Sequence, residues 1–330
     1  MERKQRILII RLSALGDVAM TIPAIHAFAA AHKEMQVTVL TRPFFRRLFV
    51  GSLENVDFVL FEDQHRSLLG LCRLIRKLHK MHFDCVCDLH NVLRSWVIDS
   101  SFRLTGTKVL MVSKRRAERK RLLAGSPEQR RTPSMPFTRR YVELLNKVAP
   151  FAANPSLSKA SPSSSIRKIG IAPAARYPNK TYPMEHMREV VRLLAEKPET
   201  TVYLFGGKAE IPLFELWKTL SDRVVCVAGT MQIEDELKLM GELDVMVSMD
   251  SANMHLASLM GTRVVSLWGS TTPHCGFLGW GQREEDCLWA DLPCQPCTIA
   301  GSKECKLGEM KCWHAIKPID VVNRIYNVES

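Results

Sequence analysis

Ile7-Leu8-Ile9-Ile10-Arg11-Leu12-Ser13-Ala14-Leu15-Gly16-Asp17-Val18 decides the fold. Its first four residues are a continuous apolar run rich in β-branched side chains, the pattern of a central parallel strand covered on both faces. A short loop through Gly16 follows, and residues 18–32 read as an Ala-rich helix with Asp17 placed as its N-cap. A buried strand that turns directly into a helix opens a doubly wound α/β sheet. Gly16 stands alone, so there is no G-x-G-x-x-G fingerprint, and a nicotinamide-dependent oxidoreductase or epimerase is disfavoured.

Outward from this stretch the alternation continues. Strands are expected at 37–40, 58–61 and 85–89, with a helix at 68–79. Residues 152–165, Ala-Ala-Asn-Pro-Ser-Leu-Ser-Lys-Ala-Ser-Pro-Ser-Ser-Ser, have almost nothing to bury and read as a linker. Beyond it strands at 168–172, 201–205, 224–227, 245–249 and 264–268 alternate with helices at 184–196, 212–220, 233–240 and 253–260. A length of 330 residues, at about 150 per domain, agrees with two Rossmann-like domains: 1–152, a linker at 153–165, and 166–317. A C-terminal helix in 318–330 can cross back onto the first domain.

Hydrophobic residues at 46% and charged residues at 24% describe a soluble globular chain. The net charge of +12 favours anionic partners. Arg11 and Asp17 interrupt the apolar N-terminal run, which argues against a signal peptide, and no apolar run approaches the roughly 18–20 uncharged residues of a membrane span. Ten cysteines without an export signal point to a reducing, cytoplasmic setting, where clustered thiols bind metals or pack as small hydrophobes.

Ligands of open α/β sheets bind beyond the carboxyl ends of the strands, and two facing sheets would make a cleft. Asp17 is then either a helix cap or a general base able to accept a substrate proton. Met249-Asp250-Ser251-Ala252-Asn253-Met254-His255-Leu256-Ala257 places small residues at a helix start, where free amides and the helix dipole favour a diphosphate. The alternative there is an ordinary Asp or Ser cap, with His255 a packed histidine. Cys294-Gln295-Pro296-Cys297, Cys305 and Cys312 have the spacing C-x2-C-x7-C-x6-C, suited to a structural zinc with Cys287 and His314 as substitute ligands; reduced, partly buried thiols are the other reading. The basic segment 108–140 includes Arg115, Arg116, Arg119, Lys120 and Arg121. It is either a solvated face or a mobile loop for an anionic acceptor. The absence of interleaved aromatic residues argues against nucleic acid.

Asp250-Ser251-Ala252-Asn253-Met254-His255-Leu256-Ala257, followed by Gly261-Thr262-Arg263-Val264-Val265-Ser266-Leu267-Trp268-Gly269-Ser270-Thr271, resembles the C-terminal signature of glycosyltransferase family 9, the ADP-heptose:lipopolysaccharide heptosyltransferases. Ile9 to Val18, with Pro23 beyond, is similar to that family's opening motif. The resemblance implies a GT-B fold in which domain 1–152 binds the acceptor and 166–317 the nucleotide sugar. It implies an inverting transfer of heptose from ADP-heptose to a lipopolysaccharide core, with no cofactor needed for catalysis. It assigns Asp17 as general base, beside Ser13 and Gly16 at the acceptor, and Lys180 near the donor phosphates. Glu210 would hold the ribose and Met231 the adenine. Asp250, Ser251, Ala252, Asn253, His255, Ser270 and Thr271 would line the diphosphate and sugar. The basic segment would meet phosphorylated lipid A and the anionic inner-membrane surface, making the enzyme peripheral. The two domains would close about the linker.

The chain departs from the family pattern in places. Ala252 stands where Gly is common, Pro173-Ala174-Ala175 and Tyr182 replace a Gly-containing run and a Trp, and Thr272 replaces a frequent Asp. Another nucleotide sugar or acceptor, and a non-catalytic nucleotide- or polyanion-binding protein, are the alternatives.

Overall fold

A computed structural model of the chain describes residues 4–51, 53–153 and 168–326. Ile7 to Ile10 are wholly buried, as the opening apolar run requires. They form β1 (Arg6–Ile10), which with β2 (Gln36–Thr41), β3 (Val56–Leu60), β4 (Cys85–Asp88) and β5 (Lys108–Met111) makes a parallel sheet in the order β3-β2-β1-β4-β5. The order reverses between β1 and β4, so the loops leaving these strands diverge to opposite faces and open a crevice at the carboxyl edge. Helices α1 (Leu15–Ala31), α2 (Pro43–Arg46), α3 (Leu68–His79) and α4 (Leu93–Leu104) cover the sheet. Leu8, Ile10, Leu40, Leu74, Leu78, Val86, Ile98 and Phe102 fill one side of it. Three of these elements, α2, α4 and β5, lie where the sequence reading placed none.

The second sheet joins β6 (Lys168–Ala172), β7 (Thr201–Leu204), β8 (Val224–Cys226), β9 (Val245–Met249), β10 (Arg263–Leu267) and β11 (Cys287–Leu288) in the order β11-β10-β9-β6-β7-β8, again all parallel. Its switch point lies between β6 and β9. Ile169, Ile171, Val191, Val202, Trp217, Val247, Val265 and Trp313 belong to its core.

The chain divides into two compact units that are not contiguous in sequence: residues 1–114 with 137–154, and 115–136 with 155–330. Within the basic segment 108–140, expected as a mobile loop of the N-terminal domain, residues 115–136 belong to the second unit and form α5 (Arg116–Ala124) and α6 (Pro127–Arg131). Hydrogen-bonding demand explains the difference. Arg130 Nη1 donates to Pro293 O at 2.8 Å, Arg131 pairs with Asp291 at 3.0 Å, and Ser134 N donates to His274 O at 2.9 Å. The chain then rejoins the first unit through α7 (Phe137–Leu145), which packs on α1.

The C-terminal helix α13 (Pro318–Tyr326) packs on α8 (Met184–Ala195) of the second unit, with Val321, Val322 and Ile325 in its core. Buried Arg263 is the clamp. Its guanidinium is held by Asp286 and donates at 2.8 Å to the carbonyls of Arg324 and Ile325, satisfying the open end of the helix where its dipole favours a cation. Of the linker expected at 153–165, all but Ala153 lies outside the described residues.

Candidate active site

In the first unit the loops leaving β1 and β4 meet at the switch point. Helix α1 begins at Leu15, earlier than its apolar pattern suggested, so Asp17 is the third helical residue and not the N-cap. Its carboxylate reaches back: Oδ2 accepts the Ala14 N–H at 3.2 Å and pairs with Arg11 Nη2 at 2.9 Å. Arg11 is itself buried and fixed by donating to Leu89 O and to Tyr141 Oη. Both anchors use Oδ2, and among the described residues Oδ1 has no partner; the side chain is 32% exposed. One oxygen of Asp17 is therefore positioned and the other open.

Ser13 Oγ lies 3.1 Å from His90 Nε2. Burial and then the Arg11 charge push His90 down to about 4, so the imidazole is neutral at physiological pH and the pair is a neutral hydrogen bond. The loop carrying His90 is held by Asp88, which accepts the backbone N–H of His90 and of Asn91 at 2.8 Å and the Ser95 hydroxyl at 2.6 Å. Wholly buried Asp99 neighbours Asp88. Burial, followed by the Asp88 charge, raises the Asp99 carboxyl to about 8. Asp99 therefore keeps its proton at neutral pH. Arg11 and His90 were missed in the sequence because Leu89 and Ser13, their partners, lie far along the chain, and Asp88 and Asp99 because α4, which carries Asp99, was not anticipated.

In the second unit the loops leaving β6 and β9 also meet at their switch point. A 3-10 turn, Pro178–Lys180, brings Lys180 Nζ to 2.7 Å from Asp250 Oδ2, and the Thr271 hydroxyl donates to the same oxygen at 2.8 Å. Asp250 and Thr271 are buried. Helix α11 (Ala252–Leu259) starts next to this cluster with Ser251 as an extended N-cap whose side chain makes no capping bond. Its hydroxyl turns to Ser248 Oγ at 3.1 Å instead. The helix start, including the amides of Ala252 and Asn253, is left open to an anion. Ser270 Oγ is buried with no hydrogen-bond partner among the described residues. A lysine, an uncapped helix start and an unused hydroxyl thus converge where the sheet opens.

The remaining expected donor residues lie on the same carboxyl edge. Half-buried Glu210 precedes α9 (Ile211–Lys218) and accepts the Gly207 N–H at 2.7 Å, while Met231 is exposed on the turn after β8. His255 is buried within α11. The basic residues divide by environment. Arg115 bonds Glu118 at 2.6 Å and Arg121 bonds Thr132 O at 3.1 Å, whereas Arg116 and Lys120 are exposed.

The backbone of the cysteine segment braces the site. Among the described residues no group of three or more His, Cys, Asp or Glu is placed to hold a metal ion, although Cys297, Cys294 and Cys305 lie close enough to Cys312 to act on its thiol. Burial pushes the Cys297 and Cys312 thiols up to about 11. The backbone does the bracing: Cys297 N donates to Ser270 O at 2.9 Å, Trp313 Nε1 donates to Asn179 O at 3.2 Å, and Gly301, at φ +82°, lies against the Lys180 stem.

Residues 71–308 match the family model for glycosyltransferase family 9 (heptosyltransferase). Lipopolysaccharide heptosyltransferase 1 of Pseudomonas aeruginosa is 23% identical over 319 residues, covering 88% of this chain and 86% of that protein. Among solved structures, a family 9 glycosyl transferase from Veillonella parvula is similar at 16% identity with a TM-score of 0.74, covering 100% of this chain and 99% of that one. The ADP-heptose LPS heptosyltransferase II of E. coli has a TM-score of 0.68 at 18% identity and 98% coverage of each chain. These likenesses show the fold, two Rossmann-like parallel-sheet domains.

Proposed function

The chain belongs to glycosyltransferase family 9, the heptosyltransferases, and from that premise we propose that it transfers heptose from ADP-heptose to a hydroxyl of a lipopolysaccharide core with inversion. The observation that carries this reading is Lys180 paired with buried Asp250 beside the uncapped start of α11 at the second switch point. An ADP diphosphate laid there would meet the Lys180 ammonium, the amides of Ala252 and Asn253 and the Ser270 hydroxyl. These fixed donors would stabilise negative charge growing on the leaving diphosphate. Glu210 and Met231 would take the ribose and adenine.

Asp17 would receive the acceptor proton through its open Oδ1 while Arg11 holds Oδ2. Attack on the sugar carbon from the side opposite the diphosphate gives inversion. The acceptor is lipid-anchored, and we place the enzyme peripherally on the anionic cytoplasmic leaflet, a reading supported by its net charge of +12.

Transfer from ADP-heptose to deacylated core lipopolysaccharide, under metal-free conditions, tests the proposal. Asp17→Asn should lower turnover by about 10²–10⁴-fold while ADP binding is unchanged. Wild-type protein that binds ADP without transfer would place the fault in the sugar or acceptor, and failure to bind ADP would overturn the donor site.

A further inference from the structure

We propose that the first turns of α3 and α4 form a docking face for an anionic phospholipid surface. Leu68 is 83% exposed, Leu69 74% and Leu93 75%, with Trp96 and Val97 exposed next to Leu93. Clusters of large apolar side chains in water mark interaction surfaces. The topology gathers these residues. From β3 to β4 and from β4 to β5 the chain moves the same way across the sheet, so right-handed crossovers put α3 and α4 on one face. The helices touch: His79 stacks on Phe102 at 4.3 Å between centroids and lies 3.2 Å from Ser101 Oγ. Both start at the carboxyl edge of the parallel sheet, the edge that carries Asp17.

Charge identifies the occupant. Helix α3 contains no acidic residue and exposes Arg73, Arg76 and Lys77, with Lys80 just beyond, and the single acid of α4, Asp99, is buried. In the preceding turn, Asp63 is paired with Arg66 at 2.9 Å. Against Arg73, Arg76, Lys77 and Lys80 stand exposed Glu62, which accepts from Gln64, and the paired Asp63, so the face is net positive; it repels a second copy of itself and complements anionic headgroups. Trp96 has the character of an interfacial aromatic. Its indole N–H is satisfied by Asn91 Oδ1 at 2.7 Å, and the Lys114 ammonium lies 5.9 Å from the ring centroid. The carboxyl edge bearing Asp17 would then meet a lipid-anchored acceptor near its headgroup. The inference rests on the acceptor reading above, but its vesicle-binding readout uses neither substrate.

The test is flotation of the full chain with vesicles of phosphatidylethanolamine and phosphatidylglycerol at 3:1, and with pure phosphatidylcholine. Wild type should float with the anionic vesicles and not with the neutral ones. Replacing Leu68, Leu69 and Leu93 together by Ser leaves the charge untouched and should weaken binding at least tenfold, with unchanged thermal unfolding and unchanged transfer to a deacylated, soluble acceptor. Three results would overturn the proposal: no wild-type flotation, equal flotation of the triple variant, or a concentration-dependent dimer that the triple variant abolishes. Because transfer to the soluble acceptor is measured separately, loss of the docking face and loss of the proposed activity give different patterns.

Discussion

Asp99 holds a proton at neutral pH that an exposed aspartate would release. Folding raises this carboxyl from 3.8 to about 8, so between those values the folded chain binds more protons than the unfolded one. Stability from the site is complete below about pH 4 and is lost as pH rises through about 8. Asp99→Asn keeps the shape and removes the titrating proton, so its melting temperature should fall by several degrees less than wild type's between pH 5 and pH 8.5. Parallel declines would show that Asp99 does not carry this pH dependence. Lys180 supports a second prediction. Lys180→Met should lower transfer about 100-fold and, by stranding buried Asp250, destabilise the protein by about 3 kcal/mol. Adding Asp250→Asn should restore the melting temperature and not the transfer. At this scale the sequence carried the residue types but not their partners. Asp17 and Asp250 announce themselves as short-range helix-start residues, whereas Arg11 and His90 gain meaning from contacts to Leu89 and Ser13 across 78 and 77 positions.

Elements whose apolar pattern is undiluted lie where it puts them: β6, β9 and α3 begin and end at the expected residues. Helix α4 was missed because Leu93, Trp96 and Val97 are exposed on it, which spoils the contrast between faces on which periodicity depends. Helices α5 and α6 were hidden for the opposite reason, being so rich in Arg and Lys that almost no apolar stripe is left, with Leu122 the buried residue of α5. The cysteine-bearing segment was legible as a motif, with a structural metal and packed thiols both open readings, but its bracing role was not. Spacing suits a metal, while the structure uses the segment to brace the loops that hold Lys180 and Ser270. Gly301 tests that role. A Cβ there would come within 2.1 Å of Lys180 Cδ, and φ is +82°, so Gly301→Ala is strained and must displace the lysine stem. The expected outcome in steady-state kinetics and calorimetry is weaker ADP-heptose binding, by about tenfold, with a loss of about 1 kcal/mol in stability. Unchanged kinetics would remove the segment from the donor site.

Two separate cores, one under each sheet, set the behaviour of the whole molecule. The residues proposed to hold the donor belong to the second unit, so on that reading ADP at 100 times its dissociation constant should stabilise that unit by about 2.7 kcal/mol and leave the first unaffected. Scanning calorimetry should show two transitions, of which one moves with ADP. A single transition that moves as a whole would mean the units melt together. The two-domain α/β plan was legible in the alternation of strands and helices, but the membership of residues 115–136 was not, because it depends on contacts such as Arg130 to Pro293, 163 positions apart. That excursion has a consequence for how the protein is made. On the ribosome α5 and α6 emerge well before the strands and loops they pack against, and at about 5–20 residues per second they wait roughly 8–30 s for position 293. Through that interval a nascent chain carries a bare cationic hairpin with no companion, which makes it a natural client for an acidic chaperone surface.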